Sequence, residues 1–127
     1  GTYPFNDWKK IDGNWFRFNK DGYALENDWY QDEQGRYFWL KDGGYMAIGW
    51  LKVGDFWYFF ENNGEMRTGW IPYFDKWYYC DVEKGGAMIS KEVRKIDGKY
   101  YYFNSNGEML ERAAVYVDEN GGIHFEE

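Results

Sequence analysis

Apolar residues along this chain come in short bursts separated by polar turns, and the bursts recur. One full period runs from Gly49 to Thr68: a Gly-Trp opening, a short spacer, four consecutive aromatics (Trp57 to Phe60), an Asn62-Asn63-Gly64 turn and Met66. Gly69-Trp70 then starts the pattern again. Two apolar stretches joined by a tight turn predict a β-hairpin, and Asn63-Gly64 accepts the positive φ angles that such turns require. A single hairpin is at best marginally stable in water, so this one needs neighbours.

The neighbours are in the sequence. Trp8, Trp29, Trp50 and Trp70 open four units at separations of 21, 21 and 20 residues. Ile96-Asp97-Gly98 repeats Ile11-Asp12-Gly13 and aligns a fifth unit in which Val93 stands where Trp is expected. The aromatic runs begin at Trp15, Tyr37, Trp57, Trp77 and Tyr100, and turn glycines follow at Gly22, Gly44, Gly64, Gly86 and Gly107. Self-similarity on three markers defines a repeat protein.

Successive side chains of a strand point to opposite faces. Positions one and three of the runs are Trp15/Arg17, Tyr37/Trp39, Trp57/Phe59, Trp77/Tyr79 and Tyr100/Tyr102. Positions two and four are Phe16/Phe18, Phe38/Leu40, Tyr58/Phe60, Tyr78/Cys80 and Tyr101/Phe103. With apolar residues on both faces, each hairpin is expected to be covered on both by its neighbours, as in a stacked array. The predicted fold is all-β: a β-solenoid of stacked hairpins, with a sandwich of short strands as the competing arrangement. The expected organisation is one module over 1–127, with about five hairpin repeats in 7–112 and a capping hairpin in 113–127.

That last hairpin carries Ala113 to Val117, the turn Asp118 to Gly122, and Ile123-His124-Phe125, with no Trp. Terminal units of arrays are atypical because they close an exposed face. A cap is the modest reading and a self-association surface the sharper one. His124 alternates with Ile123 and Phe125 and has no second His or Cys nearby, so a structural or exposed role is expected.

Composition narrows the function. Aromatics supply 24% of the residues, which excludes a disordered tail. The net charge of −7 argues against nucleic acid as a partner, since phosphate binding needs clustered Lys and Arg. No apolar run reaches the roughly 20 residues of a membrane span, and no signal peptide is evident. The lone Cys80 permits no disulfide within the chain and replaces Phe or Leu of other repeats, as a small buried hydrophobe would.

Catalytic chemistry is sparse. Acidic residues such as Asp12, Asp21, Asp42 and Glu83 fall in turns and loops, where solvated turn roles are the default. One His cannot build a Ser-His-Asp or Cys-His set, and neither a metal-ligand cluster nor a phosphate-binding Gly motif is present. No catalytic residue, metal or cofactor is therefore expected. What the repeats do offer is aromatic. Three rings meeting between hairpins would form a box suited to a quaternary ammonium group, whose desolvation costs little and which gains cation–π attraction. The same rings would serve as the core of the array, and aromatics also stack on sugars.

The Gly-Trp openings, the Trp-Tyr-Tyr-Phe-like runs, Gly-x-Met and Thr-Gly-Trp resemble the choline-binding, cell-wall-binding repeats of Gram-positive autolysins, phage endolysins and surface proteins. The likeness is best over Thr68-Gly69-Trp70 to Cys80 and on through Gly86-Ala87-Met88, and it covers about residues 7–125. It implies a non-catalytic module that binds choline or phosphocholine of wall teichoic acids. It also implies a secreted or cell-surface location in a Gram-positive bacterium or its phage, and a parent that is often a wall hydrolase. The sharper reading of the terminal hairpin corresponds to a homodimer formed through it. Related repeats of glucan-binding proteins and clostridial toxins bind saccharides, which is the alternative.

By the same resemblance each site takes the opening Trp and first run aromatic of one repeat, a third ring from the next run, and often a Met. That predicts Trp50, Trp57 and Tyr79 with Met66, and Trp70, Trp77 and Tyr102 with Met88. Trp8, Trp15 and Trp39 would form a third site, and Trp29, Tyr37 and Phe59 a fourth.

Overall fold

The computed structural model describes residues 5–110 and 114–126, the strands of the final hairpin by their backbone. Each aromatic run is the second strand of an antiparallel hairpin. β1 (Asp7–Ile11) pairs with β2 (Asn14–Phe18), β3 (Asp28–Gln31) with β4 (Tyr37–Leu40), and β5 (Gly49–Val53) with β6 (Phe56–Phe60). A short β7 (Met66–Arg67) adds to β6. Further on, β8 (Gly69–Tyr73) pairs with β9 (Lys76–Asp81), and β10 (Ala87–Met88) adds to β9. β11 (Glu92–Ile96) pairs with β12 (Lys99–Phe103), and β13 (Ala114–Val117) with β14 (Ile123–Glu126). The architecture is all-β, built of small two- and three-stranded sheets. The chain divides into two compact units, Gly1–Arg67 and Thr68–Glu127.

Local chemistry fixes the turns. Asp12-Gly13 and Asp97-Gly98 both take positive φ at their two central residues (51° and 84°; 50° and 85°), the twist that matches a two-residue hairpin loop. A different device repeats in other turns, after the runs at Asn19 and Asn104 and within the hairpin turns at Asp32 and Asp118. The side-chain oxygen of Asn19, Asp32, Asn104 or Asp118 accepts backbone N–H groups two and four residues ahead. These Asx turns account for polar residues that sequence composition alone leaves as solvated loops.

The two faces of each hairpin are not equally covered. Position four is the innermost: Leu40, Phe60, Cys80 and Phe103 are all buried, while Phe18 at the chain's start is half-buried. Position one is the outermost, with Trp15, Tyr37, Trp57 and Trp77 each about two fifths exposed. In the second unit Phe103 packs with Ile89 and Ile96, and Trp70, Tyr79, Tyr101 and Met109 close around them.

Two further contacts hold the second unit together. Gly107 has φ +82°, and a Cβ there would lie 2.5 Å from Met88 Sδ, so only glycine admits the methionine. Asp81, buried at the end of β9, receives Arg94 Nη1 of β11 at 2.7 Å and the backbone N–H of Glu83 at 2.9 Å. The Arg94 hydrogen bond lowers the Asp81 pKa against the opposing effect of burial, and the Glu83 N–H and the charges of Arg94 and Lys84 add to it. The pair ties one hairpin to the next.

Candidate functional site

Strand alternation places Trp70 on β8 and Trp77 and Tyr79 on β9 on one face of their hairpin, with Trp70 opposite Tyr79 and Pro72 opposite Trp77. The next hairpin sends Tyr101 and Phe103 of β12 onto that face. Trp70 is the hub. Its ring centroid lies 6.2 Å from Trp77, 5.3 Å from Tyr79 and 4.9 Å from Tyr101, all edge-to-face, and 5.8 Å from Phe103. Met109 joins them because its backbone N–H donates to the Trp77 carbonyl at 2.8 Å. Trp70, Trp77, Tyr101 and Met109 line an open cavity of about 310 Å³. Its walls are three aromatic rings and a thioether.

The first unit repeats the arrangement around Trp29. Its centroid lies 6.5 Å from Tyr37, 5.1 Å from Trp39, 5.1 Å from Tyr58 and 5.9 Å from Phe60. Met66 pairs with Phe60 as Met109 pairs with Phe103, and β7 lies against β4, which carries Tyr37. At the chain's start Trp8 packs on Phe38 at 5.2 Å and Tyr30 at 5.8 Å, and Met46 N–H donates to the Trp15 carbonyl at 3.1 Å.

The opening Trp and first run aromatic share a face as the sequence predicts, but the third ring differs. Position three was expected to reach back to the preceding repeat. Instead Trp39 and Phe59 pack on Trp29 and Trp50 of their own hairpins, both at 5.1 Å; Tyr79 likewise lies 5.3 Å from Trp70 of its own hairpin. Tyr102 stands opposite Val93 within β11–β12, on the other face of its strand from Tyr101. The ring that reaches back is position two: Phe38 to Trp8, Tyr58 to Trp29 and Tyr101 to Trp70. The sequence did hold a signal for this, since position two is aromatic in all five runs whereas position three includes Arg17.

The methionines shift likewise. Met109, not Met88, lines the Trp70 cavity, and Met88 fills the space over Gly107. Met66 lies with the Trp29 group, as its register with β6 requires. Trp50 and Trp57 stand on the last hairpin of the first unit, Tyr79 on the first hairpin of the second. His124 and its neighbours Ile123 and Phe125 have side chains outside the described residues. Among the described residues no cluster of three His, Cys, Asp or Glu side chains is placed to hold a metal ion, and no helix is long and apolar enough to cross a membrane.

Hairpins that repeat along the chain, with a ring reaching back to the preceding Trp at Phe38, Tyr58 and Tyr101, are the mark of an aromatic repeat module. The family described as choline-binding repeat matches residues 47–92, and the putative cell wall binding repeat matches residues 6–24 and 94–109. The chain belongs to the choline-binding, cell-wall-binding repeat family.

The lysin of Pneumococcus phage Dp-1 is 37% identical over 125 residues, covering 97% of this chain and 42% of the lysin. Glucosyltransferase-I of Streptococcus downei is 34% identical over 104 residues, covering 78% of this chain and 6% of that enzyme. Among solved structures, the multimodular pneumococcal cell wall endolysin of phage Cp-1 complexed with choline is 41% identical with a TM-score of 0.62, covering 88% of this chain and 32% of the endolysin. The chain thus spans less than half the length of each of these relatives.

Proposed function

We propose that this chain is a non-catalytic attachment module that binds choline or phosphocholine residues of teichoic acids in a Gram-positive cell wall. The observation that carries the reading is the cavity walled by Trp70, Trp77, Tyr101 and Met109. Three aromatic rings around a small apolar space suit a trimethylammonium group, which has no hydrogen bonds to lose and is drawn to the negative ring faces. The choline complex of the phage Cp-1 endolysin, a relative at 41% identity, supports the same ligand. Trp29, Tyr37, Tyr58 and Met66 offer an equivalent site.

In this reading the hairpins stack as a β-solenoid in a single module, β13–β14 caps it, and any homodimer forms through that cap. The protein is secreted and wall-associated, and the remainder of a longer parent supplies any hydrolase activity. One small ammonium in an open cage binds weakly, since few atoms are buried. Several cages meeting several cholines on one polymer gain by effective concentration.

The test is retention on a quaternary-amine resin. Free choline should release the protein, whereas NaCl alone at the same ionic strength should not. Release by salt alone would reduce the interaction to ion exchange by a protein of charge −7. The likeness to a glucosyltransferase supports a saccharide as the second reading, and retention on glucan with indifference to choline would favour it. Trp77→Ala removes one wall of the cavity and is expected to weaken choline binding there by about 1–2 kcal/mol. Its exposed ring carries little of the core, so the melting temperature should hardly move. Calorimetric titration checks the first part and a thermal unfolding scan the second, and unchanged affinity at every site would refute the assignment.

A further inference from the structure

We infer that the cage on Trp8 is closed to quaternary ammonium ligands because two guanidinium groups of the chain already occupy the rings on which Trp8 packs. The inference rests on the choline reading above and divides its sites into open and closed ones.

Trp8 packs on Phe38 and Tyr30, and each of these rings carries an arginine. The guanidinium of Arg17 lies 4.3 Å from the Tyr30 centroid, and that of Arg36 lies 5.8 Å from the Phe38 centroid. Phe38 holds the position that Tyr58 and Tyr101 hold in the other two cages, as the ring that reaches back to the preceding Trp. Yet Phe38 is only 5% exposed, while Tyr58 and Tyr101 are half-buried with no cation over them among the described residues. The wall a ligand would use is therefore covered.

Arg36 is held in place. Its Nε donates to Asp32 Oδ2 at 2.7 Å, while Asp32 Oδ1 accepts the backbone N–H groups of Arg36 at 2.8 Å and Gln34 at 3.0 Å. With the carboxylate fixed by the turn, the guanidinium cannot swing away without breaking a charge-assisted bond. Asp32 offsets much of the charge of Arg36, so the main effect of Arg36 is to occupy the ring face. Arg17 instead replaces an aromatic at position three, across from Trp8, and its NH2 group donates to the neutral Asn6 side chain at 3.3 Å. It leaves a positive charge beside the cage. A ligand cation there would meet one face already taken and a like charge nearby.

The test follows the tryptophan indole N–H signals of the intact, 15N-labelled protein through a choline titration. Signals of Trp29, Trp70 and Trp77 should move together, while those of Trp8 and Trp15 stay still until choline is about tenfold higher or more. In Arg36→Ala the signals of Trp8 and Trp15 should respond at lower choline than in the unaltered protein, and in Arg17→Gln/Arg36→Ala they should join the early group, with the calorimetric stoichiometry rising by about one. Trp8 and Trp15 responding in the unaltered protein with the same midpoint as Trp70 and Trp77 would overturn the inference, whether or not the variant folds. So would their silence at saturating choline in an Arg36→Ala protein whose other signals are native. If no indole responds in any of these proteins, the choline reading itself fails and takes this inference with it.

Discussion

Phe103→Ala is expected to destabilise the second unit by about 3–5 kcal/mol, the range for emptying a fully enclosed aromatic site. Phe103 has no exposed surface, packs with Ile89 and Ile96, and lies 5.8 Å from Trp70 and 6.4 Å from Tyr79. Its loss opens a void beneath the Trp70 ring, so binding in the neighbouring cavity should weaken as well. Denaturant unfolding followed by tryptophan fluorescence measures the first effect and choline titration the second. A change below about 1 kcal/mol would mean that the site collapses without cost and that the core lies elsewhere.

Removing Arg94 should have the next largest effect, and its size should depend on pH. Arg94→Met leaves the Asp81 carboxylate buried without its guanidinium, and breaking a buried pair in this way costs roughly 3–5 kcal/mol. Arg94 is itself about a quarter exposed and Glu83 N–H still serves Asp81, so about 2–4 kcal/mol is expected near neutrality. The folded-state pKa of Asp81 is lowered from 3.8, so in acid the unfolded chain binds this proton first. The stabilisation is complete above 3.8 and drains away as pH falls below that value towards the folded-state pKa. The stability gap between wild type and Arg94→Met should therefore narrow on acidification from pH 7 to about 2. The double variant Asp81→Asn/Arg94→Met should be more stable than Arg94→Met alone, because no orphaned charge remains. An equal gap at both ends of the pH range would show that the contact acts by packing alone.

The hairpins were legible because a hairpin is a local object. Asp12-Gly13, Asp97-Gly98 and the runs after them specify strand, turn and strand within a few residues. The cages were only half legible. Alternation shows that Trp70, Trp77 and Tyr79 share a face, but not which of Tyr101 and Tyr102 meets it, since both are tyrosines on facing options of one strand. Arg17 at position three was the informative exception. Met88 and Met109 occupy equivalent places in their repeats, so spacing alone could not say which turns towards the cavity and which covers Gly107. Asp81 and Arg94 stand 13 residues apart, at the end of β9 and within β11, where nothing in the sequence marks a buried ion pair before the two hairpins meet.

Every described strand pairing joins strands adjacent along the chain. This bears on how the molecule comes to be folded. β proteins are slow folders when their partners are far apart in sequence, because a long loop must close before any contact rewards it. Here no such closure is needed, and a growing chain can complete each hairpin soon after its second strand emerges. The aromatic cages set a delay of one unit. Trp70 has Trp77 and Tyr79 at once but waits for Tyr101 and Phe103, so a newly made hairpin shows the solvent an uncovered indole until the next one is finished. Assembly is thus directional during synthesis, and the aromatic surface at risk of sticking at any moment is that of one hairpin.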